Sequence, residues 1–218
     1  MTSMMKNSLR AAGTDGDLWG EEIQTTTLSF ENLHAHGALF SNLFRARKDS
    51  FISLKQWRLP EALGMEYDQY DTPASRWIVV HDELNRVMAG NRLTPTTARC
   101  GIYSYMIRDA QRGLLDEIPF DLLYDEAPVA ENIWESSRLF VSHDVPASIR
   151  RRVHALLISE IGKSSRHLGA TSCLTMLAAN WPRWAGRVNV DMKAMGPIMT
   201  IGGEENQVVS MDFARQHH

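Results

Sequence analysis

The chain has 218 residues, enough for one large domain with a substantial core. Hydrophobic residues make up 44% and charged residues 22%, the balance of a globular protein and not of a disordered or fibrous one. A net charge of −3 gives no global basic field, so the composition argues against nucleic acid and leaves any basic patch local.

Residues 1–22 lack the continuous apolar stretch of a secretory leader and read as a flexible extension, with one domain expected over 23–215. "TTTLSF" (25–30) is β-prone and opens the domain. In the following segment Phe40, Phe44, Arg47 and Phe51 recur at the spacing of one helix face, which places an arginine on an apolar stripe. Pro60, Gly64 and Pro73 punctuate an irregular stretch that carries the acids of "MEYDQYD". "RWIVVHD" and "NRVMAGNRLTPT" read as two strands joined by a turn at 83–85, and "YSYMIRDAQRGLLDEI" as a helix.

"NIWESSRLFVS" (132–142) is a strand with Glu135 and Arg138 set among β-formers. Three residues apart, they face opposite sides of a regular strand and converge only across a bulge. Pro146 opens a long helix whose Ile149, Val153, Leu156, Leu157 and Ile161 form an apolar stripe ending near Gly169. "ATSCLTML" is a strand, "NWPRWAGR" a short helix or turn, and "VNVDMKAMGP" and "NQVVSMDF" the last strands. This order predicts a single mixed sheet with helices on its faces.

Cys100 and Cys173 are too far apart to form a metal or redox motif, and the eight histidines show no ligand pair. A reduced, cytoplasmic protein without a metal is expected. No apolar run is long enough to suggest a membrane span.

The charges within apolar surroundings are Arg47, Glu66, Asp68, Asp71, Arg92, Glu135 and Arg138, four acids against three arginines. Any one alone is most simply a solvated charge, an Asx turn or a surface ion pair. Together they argue for a cleft, since a buried arginine needs a carboxylate partner. Such a cleft can hold a zwitterion and raise the pKa of one carboxylate toward that of a base.

In order and spacing these residues resemble the acyl-homoserine-lactone synthases, the LuxI-type autoinducer synthases. The resemblance runs from about Thr25 to Phe213: "RARKDSFISLKQW" supplies Arg47, Phe51 and Trp57; "GMEYDQYD" Glu66, Asp68 and Asp71; "GNRLTPT" Arg92; "WESSRLFV" Glu135 and Arg138. It implies an α/β fold like that of GNAT acyltransferases, whose central sheet splays into a V-shaped cleft with helices on both faces. It also implies an acyltransferase acting on two substrates, S-adenosylmethionine and an acyl-acyl carrier protein, with no separate cofactor. The amine attacks the thioester, the lactone closes, and methylthioadenosine leaves.

On this resemblance Glu135 or Glu66 is the base, Glu135 slightly favoured, and Arg138 braces Glu135 or the acidic trio. Arg47, Phe51, Trp57, Asp68, Asp71 and Arg92 would bind S-adenosylmethionine, and a backbone N–H near 136–139 would meet the oxyanion. Cys173, Thr175 and Met176 would line the acyl pocket, with Leu177, Trp184 and Met192 as further candidates. Arg150, Arg151, Arg152, Lys163 and Arg166 would dock the acidic carrier protein, or be an ordinary solvated basic face. Gln111 stands where the family usually has phenylalanine. A GNAT-like N-acyltransferase with another donor or amine, or a silent binding homologue, is the competing reading.

Overall fold

The computed structural model describes Trp19 and residues 22–188 and 190–213. Apart from Trp19 and Glu22, the expected extension lies outside the described residues, as do residues 214 and 215. Among the described residues nine strands and four α-helices follow in order: β1 (Ile23–Leu28), α1 (Gly37–Arg47), β2 (Glu61–Ala62), β3 (Met65–Glu66), β4 (Arg76–Asp82), β5 (Val87–Pro95), α2 (Met106–Gln111), β6 (Ile133–Val141), α3 (Ala147–His167), β7 (Ser172–Ala178), α4 (Trp181–Val188), β8 (Asp191–Ile201) and β9 (Glu204–Asp212).

Seven strands form one sheet in the order β1-β4-β5-β6-β7-β9-β8. Among the described strands only β6 and β7 run parallel, because a crossover through α3 joins them. Their pairing is short. Ile133–Ser136 lie against Ser172–Thr175, and beyond that rung β6 stays with β5 while β7 stays with β9. The sheet therefore parts into two halves at Ser136 and Thr175, the splayed mixed sheet that the family resemblance implies.

Alternation sorts the side chains into two layers. Ile78, Val80, Met88, Leu93, Trp134 and Cys173 pack against Val153, Leu157 and Ile161 of α3. Trp77, Val79 and Phe140 face Leu39, Leu43 and Phe44 of α1. The same opposite face carries a cluster of Tyr105, Ile107, Leu122, Leu174 and Val208 around α2. Gly90 permits the approach of α1, since a Cβ there would come within 2.7 Å of the Phe140 ring and 2.9 Å of Leu43.

Three elements differ from the expectation. The helix after α1 continues as a π-helical segment over Lys48–Leu54, whose wider turn carries Phe51 to the sheet. The helix expected over 103–118 stops after six residues. Gly113, at φ 71°, donates its N–H to Ala110, and Leu114 donates to Asp109, closing a Schellman end. Strand β8, expected to end at Pro197, passes through it, which an edge strand tolerates with a register shift between Ala194 and Ile198.

Candidate active site

The bulge that Glu135 and Arg138 require is present. The β5–β6 register shifts between Gly90 and Arg92, so Arg138 and Leu139 together oppose Asn91, and Arg138 takes φ 54°. Trp134, Leu139 and Val141 consequently lie on the α3 side, while Phe140 faces α1. The extra residue turns Arg138 to the α1 face, the same face as Glu135.

On that face three arginines and three carboxylates alternate in a closed ring. Arg47 Nε donates to Glu66 Oε2 at 2.6 Å, and Arg138 Nε to Glu66 Oε1 at 3.2 Å. Arg138 Nη2 reaches Asp68 Oδ2 at 2.7 Å, and Arg92 Nη1 reaches Asp68 Oδ1 at 2.5 Å. Arg92 Nη1 lies 3.1 Å from Asp71 Oδ1, and Arg47 grips both oxygens of Asp71 at 2.7 and 2.9 Å. The ring is neutral and almost wholly buried, with Arg92 and Glu66 at 0% exposure.

Local structure delivers each member. The β2–β3 hairpin places Glu66, and Asp68 and Asp71 hold their own loop by accepting from the N–H groups of Tyr70 and Asp68. Trp77 Nε1 donates to Asp71 Oδ1 at 2.9 Å, and Arg92 Nε donates to Ser137 Oγ at 3.2 Å. Burial alone would push the Asp71 carboxyl up, but Arg92 and Arg47 outweigh it and hold the group well below the usual carboxylate range. Burial likewise opposes ionisation of Asp68, and Arg92 with Arg138 brings it down.

Glu135 is the fourth acid, and it stands outside the ring. Its oxygens accept from the backbone N–H groups of Ile107 (2.7 Å) and Met106 (3.3 Å), the otherwise unpaired donors that open α2. It is fully buried and has no salt bridge among the described residues. Burial raises its pKa to about 7, against the opposing pull of the Ile107 N–H and of Arg92. Of the two glutamates expected as the base, Glu66 is engaged by two guanidinium groups while Glu135 carries none. Arg138 braces the acidic trio and not Glu135.

Phe51 is buried beneath the ring, with the Arg138 guanidinium 5.6 Å from its centroid. Trp57 stacks on Phe51 at 5.1 Å and 19° and keeps 38% of its surface exposed. Lys55 Nζ stands 4.8 Å from the Trp57 ring. Phe51 thus belongs to the core, and Trp57 offers an aromatic face beside the charged ring.

The expected acyl-pocket residues divide between the two layers. Cys173 packs toward α3, its Sγ 3.6 Å from Ser165 Oγ, and burial pushes its thiol up to about 12, so it supplies no thiolate. Thr175 closes the last β6–β7 rung, and Met176 turns to the α2 side. Trp184 donates to His154 Nε2 at 3.0 Å, and Trp181 to Gln207 Oε1 at 2.8 Å, so α4 is tied both to α3 and to β9 across the splay.

The basic residues of α3 are not equivalent. Arg150 folds back and donates to the carbonyls of Val141, Ser142 and Val145, so it closes the preceding loop. That contact explains a cation near a helix N-terminus without a ligand. Arg151, Arg152, Lys163 and Arg166 are exposed, with Glu160 3.6 Å from Lys163.

Several participants carried no sequence signal: the N–H pair of Met106 and Ile107, Ser137 and Tyr70. Gln111 neither lines the ring nor touches Glu135. Its amide donates to the Asp125 carbonyl and accepts from Ala127 N–H, pinning the long segment after α2. No cluster of three metal-ligating side chains exists among the described residues, and no described helix is long and apolar enough to cross a membrane.

The sequence profile described as autoinducer synthase matches residues 31–217 of this chain. The chain belongs to the autoinducer synthase family. An acyl-homoserine-lactone synthase of Vibrio anguillarum is 31% identical over 110 residues, about half of each chain (50% and 51%). One from Pseudomonas aeruginosa is 25% identical over 191 residues, 86% of this chain and 85% of the relative. Among solved structures, the CoA-dependent acyl-homoserine lactone synthase BjaI with SAM and isopentyl-CoA superposes with a TM-score of 0.72 at 20% identity, over 89% of this chain and 85% of BjaI. An acyl-CoA N-acyltransferase from P. aeruginosa gives a TM-score of 0.53 at 12% identity, over 87% and 99%. The fold is therefore the GNAT-like one that the splayed sheet suggests, and the enzyme is an acyltransferase of the acyl-homoserine-lactone synthase class.

Proposed function

We propose that this synthase transfers an acyl group from acyl-acyl carrier protein to the amine of S-adenosylmethionine, with Glu135 as the base. The observation that carries this is the charge count of the cleft. Six charges cancel in the ring, and Glu135 remains as the buried carboxylate without a cation. A cationic substrate bearing a sulfonium and an ammonium supplies what is missing.

A pKa of about 7 suits the work. Near neutrality a large share of Glu135 is ionised and can take a proton from the ammonium, directly or through water. The freed amine nitrogen attacks the thioester carbon, a nitrogen–carbon bond forms, and the thiol leaves. A carboxylate oxygen of the methionine part then attacks its own γ-carbon, closes the lactone and displaces methylthioadenosine. The bulge at Arg138 and Leu139 is the candidate source of an N–H for the oxyanion.

The ring acts as scaffold. Arg47, Arg92 and Arg138 are each paired with two of Glu66, Asp68 and Asp71, so their role is to hold the wall of the cleft and its potential in place. Trp57 is suited to cover the sulfonium nucleoside, with cation–π attraction of roughly 0.5–2 kcal/mol. The carrier protein would dock on Arg151, Arg152, Lys163 and Arg166, which complement its acidic surface.

The test is product formation. Incubated with S-adenosylmethionine and acyl-carrier proteins, the enzyme should release acyl-homoserine lactone and methylthioadenosine in equal amounts. Faster turnover with the matching acyl-CoA would overturn the donor assignment. Binding of S-adenosylmethionine without product from either donor would overturn the acyltransferase reading.

A further inference from the structure

Two hydroxyls stand unused on the wall that carries Glu135. Tyr70 Oη and Thr94 Oγ1 are among the buried side-chain atoms of the described residues that have no hydrogen-bond partner. Tyr70 is 3% exposed and Thr94 1%. Buried polar groups are nearly always paired, so two such hydroxyls need a reason, and a ligand is one. Thr94 lies directly across from Glu135 in the β5–β6 ladder, which sets their Cβ atoms about 5 Å apart on one face. Tyr70 comes to the same face from the loop that supplies Asp68 and Asp71. Its ring lies 5.6 Å from the guanidinium of Arg92, which is two residues before Thr94 on β5.

The charge around these hydroxyls identifies what they can hold. Burial pushes the Tyr70 phenol well above its ordinary value, and the carboxylates of Asp109 and Glu135 push it the same way. Tyr70 is therefore neutral at neutral pH, and the potential at its oxygen is negative. Asp109 is no partner for it, since its oxygens accept from the N–H and Oγ of Ser104 and from Arg112. The Arg92 guanidinium is likewise committed, to Asp68 and Asp71. A neutral hydroxyl in a negative potential serves a cation better than an anion, because its oxygen has lone pairs to offer.

A primary ammonium has three N–H donors. This wall has three acceptors without a cation: the Glu135 carboxylate, Tyr70 Oη and Thr94 Oγ1. We propose that Tyr70 and Thr94 accept two of the N–H groups of the substrate's ammonium while Glu135 meets the third. The two hydroxyls then fix the nitrogen against its base and distinguish an amine from a neutral group of equal size. Glu135 is buried to the same degree as they are, so a substrate that reaches its carboxylate reaches both hydroxyls. This rests on the reading of S-adenosylmethionine as the amine substrate and adds the residues that recognise its nitrogen.

The experiment measures Kd by calorimetry for S-adenosylmethionine, decarboxylated S-adenosylmethionine and methylthioadenosine, in the wild type, Tyr70→Phe and Thr94→Val. The decarboxylated ligand keeps the amine and lacks the carboxylate, and methylthioadenosine lacks both. Each variant should bind the two amine-bearing ligands about tenfold more weakly, the loss of one hydrogen bond to a charged group, and bind methylthioadenosine unchanged. Neither variant should lower the urea midpoint, because neither hydroxyl has a partner in the protein. A loss confined to S-adenosylmethionine would put the hydroxyls on the carboxylate and overturn the proposal. A matching loss on methylthioadenosine, unchanged affinity for the amine-bearing ligands, or a lowered midpoint or failure to fold in both variants overturns it as well. So does a wild type that binds S-adenosylmethionine yet prefers methylthioadenosine to the decarboxylated ligand. A wild type that binds neither amine-bearing ligand counts instead against S-adenosylmethionine as the substrate, and this proposal falls with it.

Discussion

Replacing Glu135 by glutamine should shift stability relative to the wild type increasingly in the variant's favour as pH rises through neutrality, while disabling the enzyme. Burial lifts the Glu135 carboxyl from 4.5 to about 7. The native state therefore holds that proton more tightly than the unfolded chain does. The stability this gives is complete below the unfolded value and is lost as pH rises through the folded one. A rise of this size corresponds to about 3 kcal/mol, at 1.36 kcal/mol for each unit. Glutamine stays neutral and loses nothing over the same window. Its carbonyl can still accept from Ile107, whereas its NH2 meets the Met106 N–H donor, a cost that does not change with pH. The stability difference, Glu135→Gln minus wild type, should thus grow by about 3 kcal/mol between about pH 4.5 and pH 8. Urea unfolding followed by tryptophan fluorescence at several pH values measures it. A difference that is flat across this range, or that grows toward acid, refutes the claim that Glu135 is a desolvated and unpaired carboxylate.

Opening the ring at one point should cost more than a surface ion pair. Asp71→Asn strips Arg47 and Arg92 of a shared partner and should destabilise by about 3–5 kcal/mol, read as a lowered urea midpoint. Asp71 itself ionises well below the usual range, so its stabilising contribution should survive mild acid, begin to fall only below about pH 4 and be lost as pH falls through its lowered native value. Charge reversal at Arg151 and Arg152 should reduce kcat/KM with a carrier-protein donor by about tenfold at low salt, with the deficit shrinking as salt rises. The same reversal should leave turnover of a small thioester unchanged, and equal losses with both would remove the docking role. Trp184→Phe deletes the hydrogen bond to His154 and should speed amide hydrogen exchange in α4 without changing exchange in β5.

Much of this architecture is visible in the sequence because hydrophobic period and helix punctuation are local. Strands β4 to β7 and the stripe of α3 can be read within a few residues of their observed bounds. The seven charged positions are legible for a similar reason, since charges inside apolar runs need partners. Their pairing is not legible, because it depends on one extra residue in β6. Without the bulge Arg138 would point to α3 and the ring could not close. The shortness of α2 was also concealed. Its apolar spacing continues past Gly113, and the left-handed turn there prevails over the periodicity. Gln111 stands where the family usually has phenylalanine, yet its two amide ends serve the backbone of a distant loop.

The most direct test of the role of Glu135 is the pH dependence of kcat/KM for the wild type and for Glu135→Gln. The wild-type rate should fall with unit slope below an apparent pKa of about 7, as the base becomes protonated. The variant should lose roughly 100-fold or more in turnover and lose that acid limb, while still binding S-adenosylmethionine. A variant that keeps wild-type turnover, or a wild-type rate that does not change through neutrality, would contradict Glu135 as the base.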